Sequence, residues 1–324
     1  MGAGEHPFVR VSARCAGGPG HSVMTRGEDV SEQTVEGLAG RDHPVDVDEL
    51  RMFADRLAVS GGGVARRMLE QFDSTGLDPR AKSSATDPVT VIDTTVERHL
   101  RELVTTERPG DRVLGEEGGE EGGEEGGEEP PAAGRGVVRW VVDPVDGTVN
   151  LLYGIPFTAV SVAAEVDGVV LAGAVHNIVT GETWTAAVGR GSSLRSAAGT
   201  VTGLTASACD DLSMALVGTG FSYDADVRAE QGRAVAALLP RIRDIRRCGS
   251  AALDLCMVAT GRIDAYFERC LKPWDHAAGA LIAAEAGAMV RVAADDEVPT
   301  VAAAPGVAED FLAALEGLGG PVSS

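Results

Sequence analysis

The chain has little of what nucleic-acid binding, membrane insertion or disulfide cross-linking requires. Lysine is nearly absent: of 28 basic residues, all but Lys82 and Lys272 are arginine. Set against 49 acidic residues, they leave a formal net charge of −21. Proteins that grip phosphate backbones present basic surfaces, so no nucleic-acid partner is expected. The arginine bias reflects a GC-rich coding sequence and carries no mechanism. No apolar run approaches the ~20 residues that cross a hydrocarbon core, so no membrane span is expected. Met1 to Arg10 lacks a basic stretch followed by an apolar one, which is how a secretory leader reads; the expected compartment is the cytoplasm. The cysteines (Cys15, Cys209, Cys248, Cys256, Cys270) are odd in number, scattered and without a Cys-x-x-Cys pair, which argues against a zinc site or a disulfide framework. Cys248 and Cys256, set among apolar residues, read as buried thiols. The six histidines show no ligand spacing, and His276 reads as helix packing.

What remains is an ordinary globular composition, 44% hydrophobic and 24% charged over 324 residues. That length buries a large core, as one domain or two lobes. Residues 1–44 are rich in glycine, serine and charge without periodicity, and read as a disordered tail or an upstream start. From Asp48 the apolar positions Leu50, Phe53, Ala54, Leu57 and Ala58 keep helical spacing. Ser60-Gly61-Gly62-Gly63 then predicts a break or kink, because each glycine costs about 1 kcal/mol in a helix interior. Thr90 to Thr106 reads as a second helix and Arg112-Val113-Leu114 as a strand. The run Gly115 to Glu129 repeats Gly-Gly-Glu-Glu and ends in Pro130-Pro131, which predicts a solvated loop. Strands over Phe157 to Val166 and Val169 to Val175 flank the hairpin turn Asp167-Gly168, and Thr183 to Val188 adds another. From about Ser207 strands and helices alternate: strands near Met214–Val217, Ile242–Ile245, Ala265–Phe267 and Val298–Ala303, helices near Val227–Leu239, Ala251–Ala259, Asp275–Ala286 and Ala308–Leu318. Antiparallel strands followed by α/β alternation suggest two layered lobes, about 45–205 and 206–320, with a cleft between them. Trp140, Trp184 and Trp274 are placed in or near the core.

The chemistry concentrates in Trp140-Val141-Val142-Asp143-Pro144-Val145-Asp146-Gly147-Thr148. The valines read as a buried strand, which proline ends because it donates nothing to a ladder. Two carboxylates then stand where the chain turns, beside a glycine that admits close approach and a threonine hydroxyl. Carboxylates held on irregular backbone suit a hard cation such as Mg²⁺. An Asp-Pro turn followed by an Asp-Gly turn is the plain alternative. The motif has company: Asp87-Pro88-Val89-Thr90 and Asp93, Leu114-Gly115-Glu116-Glu117, Gly249-Ser250-Ala251-Ala252-Leu253-Asp254, Ala265-Tyr266-Phe267-Glu268, and Pro273-Trp274-Asp275-His276-Ala277-Ala278-Gly279.

In that order and at those spacings the chain, from about Val45 onward, resembles the inositol monophosphatase family, and most of all its bacterial SuhB-type members. The resemblance implies an α+β fold, the layered αβαβα sandwich of the sugar phosphatases. It implies Mg²⁺ as cofactor: Glu116, Asp143 and the Val145 carbonyl as ligands of one ion, and Asp143, Asp146 and Asp275 as ligands of a second. A two-metal hydrolase needs carboxylates from separate segments in this way. Asp275 also has a plain alternative as a helix cap. By position, Thr148 with Asp87 would activate the attacking water. The Gly147 and Thr148 amides would cradle phosphate, and Ala251 and Glu268 would meet the polyol, with Ser222 a weaker candidate. Arg247 and Lys272 read as solvated surface charges. The implied substrate is a small polyol phosphate, myo-inositol 1-phosphate first. Fructose 1,6-bisphosphate, histidinol phosphate and 3′-phosphoadenosine nucleotides are alternatives within the family. A homodimer is implied. So, from another class, is a regulator that binds the transcription machinery. One departure stands out: Gly-Glu-Glu recurs at Glu116, Glu120, Glu124 and Glu128, so sequence alone leaves the ligand open. Glu116 is favoured because a strand precedes it and would hold it rigidly.

Overall fold

The structure is a computed structural model that describes residues 9–11, 45–71, 80–81, 88–89, 91–121 and 137–317. Strand β1 (Val9–Val11) comes first, then helix α1 (Val47–Gln71), the short strands β2 (Arg80–Ala81) and β3 (Pro88–Val89), and α2 (Val91–Glu107). The next part holds β4 (Arg112–Gly115), β5 (Gly119–Glu121), β6 (Arg139–Asp146), the short α3 (Thr148–Leu152), β7 (Ala159–Val166), β8 (Val169–Asn177), β9 (Thr183–Ala187), β10 (Ser192–Arg195) and β11 (Val201–Gly203). The last part alternates: β12 (Leu216–Thr219), α4 (Ala225–Leu238), β13 (Asp244–Arg246), α5 (Ala251–Ala259), β14 (Ala265–Glu268), α6 (Pro273–Glu285), β15 (Met289–Val292), β16 (Thr300–Ala303) and α7 (Ala308–Glu316).

An eight-stranded sheet runs β11-β10-β9-β8-β7-β6-β4-β5, and a six-stranded sheet runs β1-β15-β16-β14-β12-β13. Helices α1 and α2 cover one face of the large sheet, and α6 covers the other. Helix α5 packs along α6 and reaches β14 and β16 of the small sheet, while α7 packs on β16 and against α4. The layers are therefore α, β, α, β, α, the α+β sandwich that the resemblance implied. The main core joins the large sheet to both of its helical layers, and Trp140 and Trp184 are buried in it, with Trp274 packed at its margin. A smaller core, with Phe267 and Phe311 in edge contact, lies between the small sheet and α7.

Three local expectations need correction. Helix α1 is continuous through Ser60–Gly63. A Cβ on Gly61 would come within 3.2–3.3 Å of Leu100, Val96 and Val160, and one on Gly62 within 2.3 Å of the His176 ring. Close packing against α2 and the sheet thus offsets the propensity cost that predicted a break. Strand β6 does not stop at Pro144 but runs on to Asp146. The register against β7 shifts between Asp143 and Asp146, so proline sits in a bulge, where its missing N–H breaks no ladder bond. Finally, the repeat after Gly115 is not all loop: β5 folds back on β4, pairing Gly115 with Gly119 and Leu114 with Glu120. Most of residues 1–44 and of the later repeats lie outside the described residues. Within the first stretch, Val9–Val11 pairs with β15.

Four cysteines, Cys209, Cys248, Cys256 and Cys270, are free thiols; Cys256 is buried and Cys248 only partly so. No described helix is long and apolar enough to cross a membrane.

Candidate active site

One cleft of about 180 Å³ opens where β4, β6, β12 and β14 end and where α3, α5 and α6 begin. It is lined by Glu116, Asp143, Val145, Asp146, Gly147, Thr148, Ala251, Glu268 and Asp275. The structure thus brings together every candidate from the sequence except Asp87, which lies outside the described residues. Ser222 and Arg247 line the cleft as well. Lys272 instead pairs with Asp296 at 3.1 Å. Cleft residues that the sequence reading missed are Gly220, Phe221, Tyr223 and the segment Arg269-Cys270-Leu271. They follow the ends of β12 and β14 and carry no motif; only their place after a strand could have flagged them.

The bulge that admits Pro144 also aims the carboxylates. The Val145 N–H donates to Asp143 Oδ1 at 3.0 Å, which fixes that side chain against its own turn. Gly147 has φ 91°, and a Cβ there would sit 2.8 Å from the Phe157 carbonyl, so only glycine suits the position. The Thr148 hydroxyl donates to the Val145 carbonyl at 3.0 Å. Asp146 ties the layers together: its Oδ2 accepts from the Ser250 hydroxyl and the Ala252 N–H, both at 2.7 Å. Ser250 also caps α5, with its Oγ accepting from the Leu253 N–H. In α6, Asp275 Oδ2 accepts from the Lys272 N–H at 2.6 Å, half of a capping box. Its capping role is therefore real, and it faces the cleft at the same time.

The electrostatics are one-sided. Burial, and then the charges of Glu116, Asp146 and Asp275, push Asp143 well above the usual carboxylate range. Burial and then Asp146 do the same to Asp275. Asp146 is raised by burial to about 6, opposed by its bonds from Ser250 and Ala252. Glu268 is raised by burial to about 7, opposed by the Tyr266 hydroxyl, which donates to Oε2 at 2.5 Å. Behind it Asp254 is buried and raised, by burial and then by Glu268. His276 is half-buried, pushed down by desolvation to about 4, and stays out of the cleft lining.

Buried carboxylates that raise one another form a site whose charge is completed by a cation. Among the described residues no three acidic, histidine or cysteine side chains converge tightly enough to hold an ion as they stand. The donor set fits one nevertheless. It is all oxygen, from carboxylates and a backbone carbonyl, without thiolate or imidazole, which matches a hard divalent ion that keeps several waters. Among the described residues Val145 O accepts from the Thr148 hydroxyl alone, and a carbonyl has a second lone pair to give.

The profile of the inositol monophosphatase family matches residues 46–317. The chain is 51% identical over 286 residues to an inositol-1-monophosphatase of Mycobacterium leprae, covering 85% of this chain and 96% of that one. It is 36% identical over 239 residues to the Nus factor SuhB of Vibrio cholerae, covering 74% and 83%. Among solved structures it is similar to Mycobacterium tuberculosis SuhB, with a TM-score of 0.70, 44% identity, and coverage of 86% of this chain and 98% of that one. Fold, cleft and family profile agree: the chain belongs to the inositol monophosphatase family of metal-dependent phosphatases, and is a phosphoric monoester hydrolase of that class.

Proposed function

We propose that this enzyme is a Mg²⁺-dependent phosphomonoesterase that hydrolyses myo-inositol 1-phosphate, or a closely related polyol phosphate, to the free polyol and phosphate. The observation that carries the reading is the meeting of Glu116, Asp143, Asp146 and Asp275 with Gly147, Thr148 and Glu268 in one small cleft. Glu116, Asp143 and the Val145 carbonyl would hold one ion; Asp143, Asp146 and Asp275 would hold a second. When bound, such ions supply positive charge to phosphate oxygens and acidify water.

The chain's own groups do the rest. Thr148 donates its hydroxyl hydrogen to Val145 O, which leaves its oxygen to accept a hydrogen bond that orients an attacking water. Asp87, proposed as its partner on the sequence resemblance, would be the carboxylate that takes the proton the water gives up. The Gly147 and Thr148 amides open α3 and suit phosphate oxygens. Glu268, in the same cleft, suits polyol hydroxyls, with Tyr266 donating to its Oε2. Phosphoryl transfer asks mainly for positioning and charge neutralisation, and no covalent nucleophile is invoked. A cytoplasmic homodimer belongs to the same reading.

The test is phosphate release from a panel of inositol, fructose, histidinol and 3′-phosphoadenosine phosphates under a Mg²⁺ titration. Fastest turnover on inositol 1-phosphate, abolished by Asp143→Asn with the fold intact, is expected. Near wild-type turnover of Asp143→Asn at saturating Mg²⁺ would sink the metal assignment. A second reading, a regulatory partner of the transcription machinery, rests on the Nus-factor name of the Vibrio relative. Capture of RNA polymerase components by an inactive Asp143→Asn protein would support it.

A further inference from the structure

A buried ion pair outside the cleft grips the turn that carries Glu116. Glu97, on α2, has a side chain only 3% exposed. Its carboxylate accepts from the Glu117 N–H at 2.8 Å through Oε2 and from the Gly118 N–H at 2.8 Å through Oε1. Arg101, one helical turn on, donates to the same carboxylate from Nε at 3.0 Å and from Nη2 at 2.9 Å. The guanidinium also donates to the carbonyls of Val113, at 3.3 Å, and Gly119, at 2.7 Å. The pair therefore holds the strand entering the turn, the turn itself and the strand leaving it. Contact this close requires Gly115: a Cβ there would lie 2.5 Å from the Glu97 carboxyl carbon. Neither Glu97 nor Arg101 lines the cleft. With four donors already on its two oxygens, Glu97 is satisfied where it stands.

The grip falls on the two amides that directly follow Glu116. Charge-assisted bonds to buried groups are the strong and directional kind, and a ligand works only if its supporting shell fixes it to about half an ångström. We propose that Glu97 and Arg101 are positioning residues that set Glu116 for cation binding, and that they select the first of the four Gly-Glu-Glu copies as the one that serves the site. This rests on the metal-dependent reading above. Partners one layer behind a metal ligand change affinity by about 10–100-fold when removed, and the same range is expected here.

The test uses the full chain, with Mn²⁺ alone as the binding probe by calorimetry and Mg²⁺ half-activation as the kinetic one. Glu97→Gln should weaken Mn²⁺ binding and raise the half-activating Mg²⁺ concentration by ~10–100-fold, while kcat at saturating Mg²⁺ and KM stay near wild type. Arg101→Lys keeps the charge but loses the planar fork, and should shift both in the same direction by less. A merely structural anchor would lower the melting temperature and leave the affinity of the folded protein alone. Wild-type Mn²⁺ affinity in folded Glu97→Gln and Arg101→Lys overturns the proposal, and so does failure of both variants to fold, which would assign the pair to the scaffold. Asp143→Asn, run alongside, separates the two ideas. If it too binds Mn²⁺ normally, the metal reading has failed. If it loses Mn²⁺ while the other two keep it, only the positioning proposal has.

Discussion

Gly115-Glu116-Glu117 and Gly119-Glu120-Glu121 are the same three letters four positions apart, and they end in different surroundings. In the first copy Glu116 opens the turn, lines the cleft and raises Asp143 through its charge. The turn behind it is fastened by a nearly buried Glu97–Arg101 pair. In the second copy the chain is already returning as β5: Glu120 pairs across from Leu114 and is exposed. It lies 3.8 Å from the Arg139 guanidinium. What separates the copies is what precedes them and what lies beneath them. Composition assigns a glutamate to solvent; a buried acceptor under the following amides assigns it to a site.

The sharpest way to break this comparison is to neutralise one copy at a time. Glu116→Gln should reduce phosphatase turnover at moderate Mg²⁺ by ~100-fold or more, since the charge opposite a catalytic ion is worth several kcal/mol and each 1.36 kcal/mol is tenfold. Glu120→Gln, which removes the same charge, should stay within ~2-fold. A Mg²⁺ titration of both variants reads the difference. If the effects were exchanged, the register of the site would shift by one repeat. If both variants were harmless, the cation would draw its ligands elsewhere.

How much of this was legible follows the same divide. Helix α5 is legible with its observed bounds: Ser250 precedes it as a cap, and Asp254 is the one charged residue in an otherwise apolar run. The carboxylates that share the cleft are legible because each lies at a strand end, a bulge or a helix start inside a compact motif. Asp87 remains outside the described residues. Two of the misreadings come from treating a local cost as decisive. Gly61 and Gly62 lower helix propensity, yet they let α2 and His176 approach. Pro144 cannot donate, yet a bulge removes the need. Strand β10 is mostly half-buried and β11 exposed throughout, neither with alternation, so periodicity had nothing to find. Glu97 and Arg101 look like an ordinary i,i+4 helix pair, and only the tertiary fold shows which amides they hold.

The raised carboxylates of the cleft are open to a test by pH. Glu268 is raised by burial from 4.5 to about 7, so the folded state binds its proton where the unfolded chain releases it. Stability without added metal is then lost as pH rises through that window, by up to about 3 kcal/mol for this group. Glu268→Gln should remove that part of the slope and, in EDTA at pH 8, gain stability, less what the Tyr266 bond contributed. A slope from the other raised carboxylates remains. Urea unfolding at pH 5 and pH 8 measures the slope, and an unchanged slope in Glu268→Gln would mean that its burial is not felt as charge.

The glycines heading the two copies offer a finer comparison. An alanine at Gly115 would drive its methyl to 2.5–2.7 Å from the Glu97 carboxylate. Overpacking of that kind costs about 1–3 kcal/mol, and it displaces the clamp, so Gly115→Ala should also raise the Mg²⁺ requirement. At Gly119 a Cβ meets nothing within 4 Å, but φ is +68°. The cost there is the left-handed backbone alone, roughly 1 kcal/mol, and Mg²⁺ half-activation should not move. Equal shifts in half-activation for the two variants would erase the distinction between the copies.

The smallest effect is the stability change in Glu120→Gln, and it tests the comparison from its quiet side. Arg139 and Glu120 are 33% and 44% exposed at the side chain and 3.8 Å apart, a pair that water screens. Arg139 already has a shorter partner in Glu165, at 2.7 Å, whose side chain is 12% exposed. Removing Glu120's charge therefore leaves no buried cation uncompensated, and the β4–β5 backbone pairing through Leu114 does not depend on it. Exposed pairs of this kind contribute between nothing and about 1 kcal/mol. With a second acid holding Arg139, the expected loss is about 0.5 kcal/mol or less, near 1–2 °C in melting temperature for a chain of this size. A drop of several degrees would mean that the second copy is fastened as firmly as the first. Position behind a strand would then no longer explain why one glutamate faces the cleft and the other faces water.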